Sequence, residues 1–139
     1  MLRTHFIHVA IGLVLATTAG FGQGPTEGLV DAAKAWLKNV SVGARAELLA
    51  STDERFLATT PAGDVLVRER LIPSDASQAV QQLPLMELEA PLARVVGETG
   101  VVMSRLKPSA GPALNGTFIF VRQQAVWNLV AIHFSPAGR

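Results

Sequence analysis

The chain has 139 residues, with 12 Lys and Arg against 11 Asp and Glu, a net charge of +1, no cysteine and no tyrosine. Missing cysteines exclude disulfides, thiolate metal sites, a Cys nucleophile and a lipid-modified cysteine anchor. Balanced charge without a basic run leaves no electrostatic footprint for a nucleic-acid partner.

The first 22 residues read as a leader. Arg3 lies near the start, an apolar stretch runs from Phe6 to Ala19, broken by His8, Gly12, Thr17 and Thr18, and small residues follow at Ala19, Gly20 and Gly22. A basic start, an apolar middle of this length and a small-residue exit make up a secretory signal peptide, whereas a membrane-spanning helix needs about 20 apolar residues. The expectation is removal near Gln23 and export to the periplasm or medium, without a stable membrane anchor; an uncleaved N-terminal anchor is the alternative. Residues 23–139 then form one domain of ordinary size, able to bury about two-thirds of its unfolded surface. With His5 and His8 in the leader, that domain keeps His133 alone, so a metal site built from several imidazoles is not expected.

Leu29, Val30, Ala33, Trp36, Leu37 and Val40 recur at helical spacing, which predicts a helix from Thr26 to about Asn39, with Thr26 as N-cap. A second, shorter helix is expected around Ala46, Leu48 and Leu49, ending near Ser51. Arg55 to Thr60 and Val65 to Val67, joined by Pro61-Ala62-Gly63-Asp64, read as a hairpin. The polar stretch from Pro73 to Pro84 is expected to cross the rim of the domain as a mobile connection. Longer strands follow at Leu85–Val96 with a break at Pro91, Gly100–Lys107, Gly116–Gln123 and Val126–Phe134. Helices followed by strands define an α+β domain with an antiparallel sheet.

Phe118-Ile119-Phe120-Val121 and Leu129-Val130-Ala131-Ile132 are continuous apolar runs, where a sheet packed on one face would alternate. Both faces therefore call for cover. The helices supply one, and a second subunit is the economical cover for the other; burial by helix and loop alone is the competing explanation.

The order Val95-Val96-Gly97-Glu98-Thr99-Gly100-Val101-Val102, Thr117-Phe118-Ile119-Phe120-Val121-Arg122, then Trp127-Asn128-Leu129-Val130-Ala131-Ile132-His133-Phe134-Ser135 resembles the closing strands of SnoaL-like proteins in the nuclear-transport-factor-two-like superfamily. Trp36 and the hairpin ending in Gly63 fit the same pattern. The resemblance implies a conical α+β domain in which a strongly curved antiparallel sheet wraps the helices around an apolar pocket, commonly as a dimer through the sheet. It assigns no activity, because isomerases, cyclases, dehydratases and non-enzymatic domains share it. Two departures disfavour ketosteroid-isomerase chemistry: Thr60 stands before Pro61 where those relatives place a carboxylate base, and no Tyr exists to stabilise an enolate. The last turn is Gln124-Ala125-Val126 where relatives usually carry Asp-Gly.

The resemblance places His133 near the pocket, as an acid or base or as a structural side chain. Strand parity groups it with Trp127, Leu129 and Ala131. Arg105 and Arg122 either meet an anionic ligand at the pocket mouth or pair with Glu87 or Glu89. Trp36, Met103, Phe118 and Phe120 serve as core or pocket wall, and Thr60 offers a hydroxyl. No cofactor is implied. The functions this leaves open are a dimer binding a small apolar ligand, a cofactor-independent isomerase or dehydratase using His133, and a non-catalytic interaction domain.

Overall fold

The computed structural model describes residues 25–138; the expected leader lies outside the described residues. Helix α1 spans Pro25–Val42 and α2 spans Arg45–Ser51; strands β1 (Thr52–Thr59) and β2 (Val65–Val67) precede a four-residue helix α3 (Arg68–Leu71). Strands β3 (Met86–Val96), β4 (Thr99–Pro108), β5 (Leu114–Gln123) and β6 (Val126–Pro136) complete the domain. Helix α1 runs three residues past its expected end because it stops only at Gly43, whose φ of 67° is the left-handed conformation that closes a helix. Among the described residues no helix is long and apolar enough to cross a membrane.

The six strands form one sheet in the order β2-β1-β6-β5-β4-β3. This corrects two expectations. The sheet is mixed, because β1 runs parallel to β6 while all other neighbours are antiparallel. It is also not strongly curled: β2 and β3 remain its two outer strands, paired on one side only. The parallel pairing gathers the C-terminal ends of β1, β4 and β6 and the starts of β2, β3 and β5 at one end of the sheet.

The inner face packs on the helices. From α1 come Leu29, Ala33, Trp36, Leu37 and Val40, and from the strands Phe56, Val102, Leu106, Phe118, Phe120, Leu129 and Ile132, all buried. Each large side chain of this kind stabilises the fold by about 1.5–3 kcal/mol. Helix and strand approach so closely at Gly100 that a Cβ there would meet Leu29 at 2.6 Å. Trp36 is tied to β1 by a buried hydrogen bond, its indole N–H donating to Thr52 Oγ1 at 3.0 Å, and its ring lies 5.9 Å from that of Phe56.

Two irregularities shape the strands. In β3 the pairing slips between Glu89 and Leu92, where Ala90 has φ 47° before Pro91; the buried Ser104 hydroxyl donates to the Glu89 carbonyl at 3.0 Å. In the last hairpin, Ile119 pairs with Ala131 but Phe120 pairs with Leu129, so Val130 is an extra residue on β6. Parity therefore changes sign along the strand. Leu129 is buried on the inner face with Ile132 and Phe134, while Ala131 and His133 point outward. The expected grouping of His133 with Trp127 and Leu129 is thus incorrect, and the bulge is the reason.

The β5–β6 turn keeps its two-residue length without glycine. Gln123 pairs with Val126, and Gln124 and Ala125 hold φ of 50° and 63°. Both central residues of this turn type need positive φ, which Asn-Gly adopts with least strain. Replacing Gln124-Ala125 by Asn-Gly is expected to raise the unfolding free energy by about 1–2 kcal/mol, read as a higher urea midpoint with unchanged slope.

Candidate functional site

At the end of the sheet where β1, β4 and β6 finish, the inner face opens into a cavity of about 350 Å³. Trp36 and Phe56 form its buried floor; Ala58, Leu66, Leu71, Leu83, Met86, Leu114 and Phe134 form its walls; and Pro61, Pro84, Pro108 and Pro112 stand around its opening. Thr60 and Gln81 are the hydrogen-bonding side chains at the rim, and no lining residue is ionisable. The Trp36 N–H is already engaged by Thr52, so the floor offers no polar group of its own.

The polar connection over this opening is tied down by hydrogen bonds at several points. The Arg45 guanidinium donates to the carbonyls of Pro73 and Gln78. The Gln81 amide donates to the Leu71 carbonyl at 2.9 Å. Asp75 caps Ser77, accepting from its amide at 2.9 Å and its hydroxyl at 2.7 Å, and Glu69 accepts the Ser74 amide at 2.8 Å. These hydrogen bonds from Ser77 and Ser74 hold both carboxyls below their ordinary values.

The residues singled out from sequence divide between two faces. Trp36 and Thr60 line the cavity. Phe118 and Phe120 are buried in the core away from its lining, with Phe118 edge-on to Phe134 at 6.4 Å. Met103, Arg105 and His133 are exposed on the outer face. Arg105 stands 3.5 Å from Glu89 across the edge hairpin. Arg122 donates to Glu98 at 3.1 Å and lies over Trp127 at 5.0 Å, at the far end from the cavity. The sheet therefore separates His133 from anything held in the cavity. Apart from Trp36 and Thr60, sequence reading missed the lining. The available signal was the set of prolines at the strand breaks, which the topology brings to one end.

The outer face mixes apolar and polar side chains, several of the apolar ones exposed. Val65, Thr59, His133, Thr117, Met103 and Leu92 form one register row across all six strands. Val67, Leu57, Ala131, Ile119, Val101 and Arg94 form the next. Leu92 is 66% exposed and Val65 58%.

A second polar cluster lies beside β1, away from the cavity. Asp53, with its side chain 7% exposed, accepts from the Arg55 backbone amide at 2.8 Å and from the guanidinium at 2.9 and 3.1 Å. Among the described residues no group of three potential metal-ligating side chains occurs.

Neither a protein-family model nor a curated relative matches the sequence. Solved structures do match. An NTF2-like protein from Cytophaga hutchinsonii superimposes with a TM-score of 0.68 at 15% identity, covering 78% of this chain and 95% of that one. The CaMKII hub homology domain of Chlamydomonas reinhardtii gives 0.65 at 14%, covering 84% and 100%. An NTF2-like protein of unknown function from Rhodospirillum rubrum gives 0.63 at 19%, covering 79% and 98%. Helices packed on one face of a six-stranded mixed sheet, with a cavity at one end, define an α+β class. The chain has the NTF2-like fold, the one its closing strands resemble.

Hydrogen bonds from the Arg55 side chain and backbone hold the Asp53 carboxyl below its ordinary value of 3.8. A depressed folded-state value contributes stability above the unfolded value and loses it as pH falls through the folded one. Urea unfolding is accordingly expected to show stability falling below about pH 4, and Asp53→Asn to flatten part of that fall. Glu69 and Asp75 retain theirs, with the same sign.

Proposed function

We propose that this domain is an exported, cofactor-independent binding protein that holds a small, mostly apolar molecule in its end cavity and acts as a homodimer through the outer sheet face. The cavity carries the reading. Its size lies within the range of small-molecule sites, and an apolar lining gives water few partners to lose when a ligand displaces it. Acid–base catalysis on such a ligand finds no ionisable side chain in the lining. Binding is what the geometry supports.

The outer face favours self-association. Two adjacent register rows carry Val65, Met103, Leu92, Val67, Leu57, Ile119 and Val101 interleaved with Thr59, His133, Thr117 and Arg94, and several of these apolar side chains are exposed, which favours cover by a second copy. A self-complementary face suits a two-fold dimer, and the similarity to a hub domain points the same way. Export rests on the composition of residues 1–22.

Native mass spectrometry of the protein purified from its own host tests the three parts together. The expected species is a dimer of chains lacking the leader, with a small molecule retained. Ala58→Phe, which fills the cavity from β1, is expected to abolish retention and keep the dimer; retention by that variant would place the ligand elsewhere. Separately, Ile119→Glu puts like charges together across a two-fold face and is expected to give monomers by sedimentation, with ligand retention preserved. A dimer that survives Ile119→Glu would remove the outer face from the assembly.

A further inference from the structure

We infer that the cavity selects an uncharged, single-headed amphiphile: an apolar body with one neutral hydrogen-bonding group at its outer end. The inference rests on the binding reading above and specifies its ligand class. At about 30 Å³ of liquid volume per water, a cavity of about 350 Å³ holds about a dozen non-hydrogen atoms. The floor and walls are hydrocarbon, and the Trp36 N–H that would otherwise face them is spent on Thr52. A polar group placed deep in this space is therefore desolvated without a side-chain partner.

The rim is different. Gln81 is exposed there, and its amide supplies two donors and an acceptor. The Thr60 oxygen accepts the Asp64 amide at 3.2 Å, which leaves its own O–H free to donate. Both groups are neutral. Arg45, which holds the connection over the opening, is committed to the carbonyls of Pro73 and Gln78. A carboxylate or ammonium seated between Thr60 and Gln81 would exchange part of its hydration for neutral partners, since no lining side chain carries a charge, and is expected to bind about tenfold more weakly than a neutral amide of equal length.

Isothermal titration calorimetry of the purified protein with decanamide, decanol and decanoate tests this. At neutral pH the amide and the alcohol are expected to bind, with decanoate about tenfold weaker. Its affinity should recover as the pH falls through the ligand's own carboxyl range, while decanamide, which does not titrate, serves as control. Gln81→Leu is expected to weaken decanamide about threefold to tenfold. Decanoate binding as tightly as decanamide at neutral pH overturns the selection against charge. Unchanged decanamide affinity in Gln81→Leu overturns the placement of the polar end at Gln81. If none of the three ligands binds, the ligand-binding reading itself fails, which is distinguishable from either of the other results.

Discussion

The buried hydrogen bond from Trp36 to Thr52 fixes how the helical layer meets the sheet. An indole N–H enclosed in hydrocarbon costs on the order of 1–3 kcal/mol if left without a partner, and Thr52 Oγ1 is the partner this sequence provides. Thr52 opens β1 directly after α2, so the same contact sets where β1 begins relative to α1. With the ring held against Phe56, the next inward residue of β1 is the small Ala58. The large floor and the small wall beside it leave the cavity its depth.

Topology determines where that cavity opens. Because β1 lies parallel to β6 while the other neighbours are antiparallel, strands remote in sequence deliver their ends to a single rim. Each delivers a chain break, and prolines stand at Pro61, Pro84, Pro108 and Pro112. Proline fixes its own φ and offers no N–H to a neighbouring strand, so these breaks are poorly suited to pair with one another and seal the opening. The connection through Gln81 would otherwise be free over this rim; Arg45 holds it from the side of α2.

The elements of the fold were legible in the sequence because each rests on local pattern: helical spacing from Leu29 to Val40, the Pro-Ala-Gly-Asp turn, and the apolar runs of the closing strands. What depends on pairing was not. Nothing local to Arg55–Thr59 says that it will lie parallel to β6, and the bulge at Val130 reverses the facing of every residue on one side of it. A period of two carried across that bulge put His133 with Leu129, whereas the strand turns His133 outward. The candidate site suffered most. Its walls come from seven separate segments, so only Trp36 and Thr60, conspicuous by type and position, could be picked out beforehand.

The cavity also bears on selection. The small Ala58 beside the large floor leaves apolar surface unpacked at this end of the domain, packing that a larger side chain there would supply. Sites that keep an occupant sacrifice stability in this way and regain it when the occupant binds, since a ligand that binds only the folded state stabilises it by mass action. An open end that is apolar to its floor and neutral at its rim is the observation on which the proposed binding role rests.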